Sequence, residues 1–468
     1  MNLQKKTMAL GVTLSIGGIL AAWSLAQVSV APSEKTVLPA DPLQFIDSAP
    51  TAPAGTLLYI ASVPVEDERI RQRYLVLHQS GAAAASGKRL TYRVAIPESV
   101  PEVIFDSQFV DDGRSILFKA GWPYDNPGYY HFYLWNLTTN KLEKGPPERL
   151  AYTRLFTSPK GDFIAYYRGG DSKGNEGNRT RPLTLFIYNR VKNTSVSVVE
   201  NSAAKFASWT TEDTLLYSVI DIKKWYEDAR LSADLEVKSQ NADGSPYVAA
   251  RPDVYEVSSS GENPQLVLKD GYQPIPSPDN KWIAFFTSTD EEKKINPSNV
   301  FHTDLPRQSY LCLYNRATKK RHIIQPVRET FPQLKWMPDS RHLLTMSQTI
   351  VGAKNSAKIS ILDVSSRVQK EVVTLKATDA ISASHDLIYP QFEMLDVSED
   401  GAKVMVKVAE IVGQGQVFMD ERNSFQSIDI RTGKISLVAQ VFNQQSNSLG
   451  MDWHFGVFPL NPAVTAKS

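Results

Sequence analysis

The chain has 468 residues, of which 42% are hydrophobic and 22% are charged, and its formal net charge is +1. This composition is typical of a globular protein and excludes both a disordered chain and a polytopic membrane protein. The balanced charge gives no electrostatic support for nucleic-acid binding, so we expect no nucleic-acid partner. The single cysteine, Cys312, cannot form an internal disulfide, so the fold must be stabilised by its core.

The N-terminus has the pattern of an export signal. Lys5 and Lys6 precede an uncharged apolar run over residues 8–26 that ends in small residues. The pattern predicts a secretory signal peptide over residues 1–26. An uncleaved anchor is the alternative, because a helix of that length approaches the roughly 30 Å thickness of the hydrocarbon core. Either way we expect a periplasmic or secreted protein, in contact with a membrane only through this segment if it stays uncleaved.

The next segment, residues 27–54, is rich in Pro, Ala, Ser and Thr, which favours an extended tether. We place the folded domain at residues 55–460 and a short tail at 461–468. These boundaries predict one folded domain.

An internal repeat decides the fold class. Each unit has an apolar segment, a tight turn containing Pro, Asp, Asn or Gly, and a second apolar segment that is apolar on both faces, as in a strand covered on both sides. The seven copies are residues 52–61, 109–118, 157–166, 208–217, 276–285, 335–344 and 397–406.

A second hairpin follows each copy, so that each unit contains four strands. The seven hairpins are residues 74–94, 130–142, 183–199, 254–268, 310–324, 359–373 and 425–438. Four-stranded repeats of this kind are the blades of a β-propeller. We therefore predict an all-β fold, a single propeller of about seven four-stranded antiparallel blades, with six or eight as alternatives.

The repeat resembles those of TolB-like propellers and of the propeller domain of the prolyl oligopeptidase and dipeptidyl peptidase family. Residues 277–285, Ser-Pro-Asp-Asn-Lys-Trp-Ile-Ala-Phe, carry the closest match, and the pattern covers roughly residues 55–440. The resemblance implies the propeller fold. We expect it without the hydrolase domain of that family, and such propellers serve many unrelated functions.

A propeller ring must close, because an open ring exposes sheet edges. The apolar, aromatic segment 453–458 is predicted to pair beside residues 57–61 as the closing strand. The alternative supplier is the segment 43–46, in which case the C-terminal segment packs elsewhere.

The connections between the second and third strands of each unit are predicted to be long, and all lie at one end of the ring. Their predicted ranges are 62–73, 120–129, 168–182, 219–253, 288–308, 347–357 and 409–424, with a short amphipathic helix over 221–231 as one further expectation. Long loops on a rigid scaffold usually carry binding residues, and Arg and aromatic side chains anchor interfaces. The candidate binding residues are Arg71, Trp122, Tyr124, Arg168, Trp225, His302, Arg307 and Arg422. For each one alone, a structural role at a blade edge or in a solvated loop is the competing interpretation.

No catalytic module is evident. Residues 170–174 match the Gly-x-Ser-x-Gly string of α/β-hydrolases, but they lie in a Gly- and Asn-rich segment rather than between a strand and a helix. No phosphate-binding loop or calcium loop is present, and of the seven histidines only His302, His385 and His454 lie where they would approach the channel. We predict no catalytic residues, no metal and no cofactor.

Three functions fit these observations. The leading hypothesis is an exported non-catalytic propeller that binds a protein, peptide or envelope glycan through the long-loop face. The alternative is a carbohydrate lyase or hydrolase with its site at the mouth of the channel. A third is a structural partner domain for a separate hydrolase, which predicts an exposed apolar patch.

Overall fold

The structure of the protein is a computed structural model. It describes residues 43–44, 55–64, 71–80, 103–121, 131–139, 141–146, 155–169, 183–202, 206–220, 251–288, 309–327, 330–351, 354–376, 391–414, 418–443 and 452–454. All regular secondary structure in these ranges is β-strand, and none of it is a helix that is long and apolar enough to span a membrane. The apolar run 8–26 and the helix expected at 221–231 lie outside the described residues.

The first half of the chain contains β1 (Leu43–Gln44), β2 (Gly55–Pro64), β3 (Arg71–Ser80), β4 (Val103–Val110), β5 (Ser115–Gly121), β6 (His131–Asn136), β7 (Lys141–Lys144), β8 (Leu155–Thr157), β9 (Phe163–Gly169), β10 (Leu183–Asn189), β11 (Thr194–Ser202), β12 (Ala207–Trp209) and β13 (Thr214–Val219). The second half contains β14 (Asp253–Ser258), β15 (Gln265–Leu268), β16 (Tyr272–Pro276), β17 (Trp282–Ser288), β18 (Ser309–Asn315), β19 (Lys320–Val327), β20 (Thr330–Trp336), β21 (His342–Val351), β22 (Lys354–Asp363), β23 (Val368–Lys376), β24 (Gln391–Val397), β25 (Lys403–Gln414), β26 (Phe418–Asp429), β27 (Ile435–Asn443) and β28 (Asp452–His454).

These strands form antiparallel sheets, which we call blades I to VII. Blade I has the order β28-β2-β3, and blades II to VI are the meanders β4–β7, β8–β11, β12–β15, β16–β19 and β20–β23. Blade VII is the meander β24–β27 with β1 added at its outer edge. The all-β propeller fold is thus confirmed, with six complete four-stranded blades. Blade I has three strands among the described residues, since the fourth strand expected before residue 94 falls in the undescribed range 81–102.

The core lies between the blades, because the second strand of each blade buries both of its faces. On β9, Tyr166 packs in the cluster shared with blade II, and the next residue, Tyr167, packs in the cluster shared with blade IV. Phe285 and Phe286 on β17 divide in the same way between blades IV and VI. Adjacent residues of a strand point to opposite faces, so a continuous apolar run is what a strand between two sheets requires.

The turn between the first and second strands has a similar structure in successive blades. Each turn has a positive φ at its equivalent position, which is held by Gly113, Gly161, Asp213, Asn280, Ser340 and Gly401, and the blade II turn has it at Asp111 and Asp112 as well. The hydroxyl of Ser277 donates to Asp279 Oδ1 at 2.7 Å and accepts from the Trp282 amide at 3.0 Å, and Ser398 uses Asp400 in the same way at 2.7 Å. Left-handed backbone and side-chain capping are what the Gly, Asn, Asp and Ser content of these turns predicted.

In five blades, the turn between the third and fourth strands is an Asx turn. A side-chain Oδ1 accepts hydrogen bonds from backbone amides two or three residues further on, and the acceptors are Asn136, Asn189, Asn315, Asp363 and Asp429. Such side-chain acceptors replace backbone partners and hold the chain in a tight turn.

The turn carboxylates make stability depend on pH. The hydroxyl of Ser365 and the backbone amide of Ser366 hold the pKa of Asp363 well below its usual 3.8, and hydrogen bonds from Ser398 and Thr432 lower the pKa values of Asp400 and Asp429. A pKa that is lower in the folded state gives stability that is present above the unfolded value and is lost as the pH falls through the folded value.

We therefore expect the free energy of unfolding to decrease as the pH falls below about 4. The triple variant Asp363→Asn/Asp400→Asn/Asp429→Asn keeps the acceptor oxygens but removes the titration, so its stability should change less over the same range. Urea unfolding at a series of pH values measures both profiles. Parallel profiles would show that these carboxylates do not contribute.

The chain ends meet at blade I. β28 pairs with β2 in the register Thr56↔His454, Leu57↔Trp453 and Leu58↔Asp452, and it also contacts β24 of blade VII and β4 of blade II. The predicted closing strand is therefore confirmed for Trp453 and His454, and residues 455–458 of the predicted range lie outside the described residues. The alternative supplier, the segment at Leu43, pairs instead with the outer edge of β27. Both segments join the propeller, although residues 43–44 lie within the range predicted as a tether.

Candidate functional site

The two ends of the blades are built differently. At one end, which we call the turn face, lie the first connections (111–114, 158–162, 210–213, 277–281, 337–341 and 398–402) and the third connections (137–140, 190–193, 259–264, 316–319, 364–367 and 430–434). At the other end, the loop face, lie the second connections, which are 65–70, 122–130, 170–182, 220–252, 289–308, 352–353 and 415–417. Connection length is concentrated on the loop face, in blades II to V.

Long second connections were expected in every blade, and for blades VI and VII this was wrong. β21 and β22 run on to the pair Val351↔Lys354, and β25 and β26 run on to Gln414↔Phe418. These strand extensions contain apolar, β-branched residues, which favour strand pairing beyond the blade body. The residues are Ile350-Val351 and Ile411-Val412. Two hairpins therefore replace two of the expected loops.

Three of the predicted binding residues lie on strands near the loop face, two of them at strand ends. Arg71 begins β3 opposite Pro64, and Arg168 lies near the end of β9 opposite Thr184 and is half-buried. Arg422 lies on the β26 hairpin, opposite Glu410. Residues from blades I, III and VII thus reach the same end of the propeller. The other five, Trp122, Tyr124, Trp225, His302 and Arg307, lie outside the described residues and stay predictions.

Side chains join neighbouring inner strands. The indole Nε1 of Trp209 donates to Phe156 O at 2.8 Å, and Trp336 Nε1 donates to Ile275 O at 3.0 Å, so that each tryptophan reaches the preceding blade. An inner strand has an unpaired edge, and buried backbone oxygens need donors. These bonds supply donors at the centre of the ring and hold neighbouring inner strands together at their turn-face ends.

Blades VI and VII are joined by an amide clamp. Gln333 Nε2 donates to Phe392 O at 2.8 Å, while its Oε1 accepts from the Met394 amide at 2.8 Å. The buried Gln348 also donates to Phe392 O, at 2.7 Å. The carbonyl oxygen of Phe392 thus accepts two hydrogen bonds from blade VI, which join that blade to blade VII.

A polar group that the sequence analysis missed lies on the side of blade VII that faces blade I. Lys407 has a side chain that is 10% exposed, and its Nζ lies 2.7 Å from Oε2 of Glu393 on the inner strand. Asn423, near Lys407 on the same face of the sheet, is fully buried, and neither of its amide atoms has a hydrogen-bond partner within the described part of the chain. Charged and polar groups in such a position are costly unless they are paired.

The sequence did carry a signal for this group. Lys407 interrupts the apolar run Val404-Met-Val-Lys-Val, six residues after the left-handed Gly401, and Lys119 interrupts the run in β5 six residues after Gly113. Both lysines are buried and lie opposite an acid on the inner strand, Glu393 for Lys407 and Asp106 for Lys119. A lysine at one repeat position in two blades is a pattern that an alignment of the repeats reveals.

Comparison with known proteins locates the fold. The sequence matches no known family profile and no curated protein, whereas many solved structures are similar in fold. TolB from Acinetobacter baumannii is 11% identical over 69% of this chain and 64% of TolB, with a TM-score of 0.38. The oligogalacturonate lyase in complex with manganese is 14% identical over 89% of this chain and 90% of the lyase, with a TM-score of 0.45. Prolyl oligopeptidase B from Galerina marginata is 10% identical over 83% of this chain and 52% of the peptidase, with a TM-score of 0.46.

The sheets of the described residues make the chain a β-propeller, and the solved structures to which it is similar include TolB and a prolyl oligopeptidase. It spans less than two thirds of TolB and about half of the peptidase. Its function must be argued from its own residues.

On the turn face, the buried arginines of the propeller have structural partners. Arg316 Nη2 lies 2.9 Å from both carboxylate oxygens of Glu256 in the preceding blade, and its Nη1 donates to Asn280 at 2.8 Å. At the equivalent position of blade III, Arg190 reaches Glu143 of blade II at 3.3 Å. Hydrogen bonds between an arginine and a carboxylate are stronger than those between neutral groups, because both partners are charged. These pairs tie one blade to the next.

Within the described residues, the propeller offers little chemistry for catalysis. Burial raises the pKa of the Cys312 thiol to about 12, so at neutral pH the thiol is protonated and a poor nucleophile. Burial likewise raises the pKa of Tyr217 to about 12. No group of three His, Cys, Asp or Glu side chains in these residues lies close enough together to hold a metal ion. The string at 170–174 lies outside them.

Proposed function

We propose that this propeller is an exported, non-catalytic binding protein that engages a protein, peptide or envelope glycan through its loop face. The observation that carries the proposal is the unequal length of the connections. The long second connections of blades II to V all leave from the loop face, while the turn face is closed by short turns. Long loops held at one end of a rigid scaffold are a common setting for recognition.

The arginines on this face favour a ligand that bears carboxylates. Arg71 and Arg168 lie at strand ends and Arg422 lies within the β26 hairpin, where strand pairing fixes the backbone. A guanidinium binds a carboxylate through two parallel hydrogen bonds and stacks on aromatic rings. An acidic peptide or a glycan with uronic acid groups would supply such partners. The aromatic residues Trp122, Tyr124 and Trp225, on the second connections of blades II and IV, would stack on sugar or peptide surfaces.

A binding screen followed by substitution tests the proposal. The purified chain is screened against acidic peptides and against neutral and acidic envelope glycans, and the best ligand is titrated by calorimetry. We expect Arg168→Ala to weaken binding about tenfold, which corresponds to about 1.4 kcal/mol, and Arg71→Ala/Arg422→Ala to weaken it further. Arg431→Ala is the matched control, because Arg431 is an exposed arginine on the turn face.

Two outcomes contradict the proposal. If Arg431→Ala weakens binding while the loop-face variants bind as the wild type does, the binding face is wrong. If the best glycan is shortened during the titration, the protein is an enzyme, and the non-catalytic part is wrong. Trp122→Ala and Trp225→Ala then test whether the remaining predicted residues belong to the same site.

A further inference from the structure

The outer edge of blade III differs from the outer edges of blades II, IV, V and VI. β11 is nine residues long, and its segment from Thr194 to Val199 contains no charged residue and no proline. Within the described residues, only β10 pairs with it, so its other edge presents unpaired backbone groups. An edge of this kind is a template for another strand.

The outer strands of blades II, IV, V and VI carry features that discourage such pairing. β7 contains Lys141, Glu143 and Lys144, and β15 has only four residues. β19 contains Pro326 together with charged residues, and β23 contains Lys370 and Glu371. Charges, proline and short length are the means by which proteins protect sheet edges.

One outer strand shows what happens without this protection. β27 is uncharged and free of proline, like the central part of β11, and it is covered by β1 through the pairs Leu43↔Val441 and Gln44↔Gln440. The propeller thus already binds an extended segment at one unprotected outer edge. β11 is the second such edge in the described part of the chain.

The side chains of β11 suit a second copy of the same strand. Val196 is 37% exposed and Thr194 and Ser197 are exposed, so the middle of the strand has apolar and hydroxyl groups to bury. In an antiparallel pair centred on Val196, this residue opposes its own copy, and Thr194 opposes Val198. Lys192 of one copy then lies near Glu200 of the other at both ends of the pair, so the charges are complementary.

We propose that β11 pairs antiparallel with β11 of a second copy of this chain, which joins the two third blades into one continuous sheet. The contact is isologous, because a twofold axis through Val196 relates identical surfaces. It lies at the rim of the propeller and leaves the loop faces of both copies accessible. Because β11 runs from the turn face towards the loop face, antiparallel pairing points the two loop faces in opposite directions, so a dimer would present one binding face on each side.

Sedimentation velocity and cross-linking test the proposal on the full chain. We expect the wild type to sediment as a dimer at micromolar concentration and Val196→Lys to shift it to a monomer, because two lysines would then be opposed at the axis. Val368→Lys is the control, since Val368 is 62% exposed on β23 and should leave the dimer intact.

In the second arm, Val196→Cys should be cross-linked between chains by a short bismaleimide several-fold more than Val368→Cys, because the two copies of residue 196 face each other. Cys312 is buried and contributes little to either reaction. A monomeric wild type, a dimer that survives Val196→Lys, or equal cross-linking of the two cysteine variants would each overturn the proposal. Circular dichroism melting of each variant confirms that the substitution at an exposed site leaves the fold unchanged.

Discussion

Gly161→Ala should destabilise the protein by about 3 kcal/mol, because two costs coincide at this turn. The residue has φ +73°, where an L-residue is strained, and an added Cβ would lie 1.3 Å from Asp111 Oδ1 of the preceding blade. To relieve the overlap, the Asp111 carboxylate has to move away from Arg190, whose guanidinium lies 3.6 Å from it. Urea unfolding followed by circular dichroism measures the loss.

Gly401→Ala is the matched control for this prediction. Gly401 occupies the same position of its turn with φ +68°, but its nearest neighbour is the flexible end of Met337 at 3.0 Å. Gly401→Ala should therefore lower the free energy of unfolding only by the backbone strain, about 1 to 2 kcal/mol. Adding Asp111→Ala to Gly161→Ala should recover part of the larger loss, since it removes the overlapping carboxylate. Equal costs for the two glycines, or no recovery, would contradict the blade-to-blade contact.

Leu57→Ala should destabilise the protein by about 2 to 5 kcal/mol, as much as Leu344→Ala does. Both leucines are fully buried, but Leu57 lies on β2 opposite the closing strand and Leu344 lies on β21 within the cluster between blades VI and VII. In a closed ring, the sheet that joins the chain ends is packed as tightly as the others. Thermal and urea unfolding of the two variants compare them directly.

Unequal losses of stability for Leu57→Ala and Leu344→Ala would contradict a closed ring. If the ring were open at blade I, Leu57 would lie at a loosely packed edge. Leu57→Ala would then lower the free energy of unfolding by under about 1 kcal/mol, while Leu344→Ala would still lower it by about 2 to 5 kcal/mol. Ile323→Ala on the exposed rim, where the side chain is 60% exposed, gives the baseline for a truncation that leaves no cavity.

Local chemistry made much of the fold predictable. The left-handed residues of the first turns, such as Gly161 and Asn280, were placed correctly because the residues that favour a tight turn act within a few positions of one another. The alternation of Phe285 and Phe286 between two clusters followed from a run that is apolar on both faces. The repeat then extended these local inferences over the whole chain.

Pairing between distant segments was harder to predict. The closing role of the segment at Trp453 followed from the need to cover an edge, but the sequence left it in competition with the segment at Leu43. The strand extensions at Val351 and Gln414 were missed because a strand continues wherever its partner does, and the partner is not visible in the local pattern.

The sequence predicted where the candidate site lies but only some of the residues in it. The repeat placed the second connections at one face, and the structure brings Arg71, Arg168 and Arg422 to that face. The pair of Lys407 and Glu393 was missed, since a single lysine in an apolar strand reads as an irregularity until the repeats are aligned. An acidic residue on an inner strand can be assigned as the partner of a buried lysine only when the strand register is known.

The most direct test of the closed propeller is a disulfide between β2 and β28. Leu57 and Trp453 are opposed in the antiparallel register, so Leu57→Cys/Trp453→Cys should oxidise within one chain and lose the mass of two hydrogen atoms, restored by a reductant. The control, Leu57→Cys/His454→Cys, is out of register by one residue, which turns the second side chain to the other face and should leave both thiols free. Equal oxidation of the two variants, or free thiols in the first, would contradict the closure on which the whole account depends.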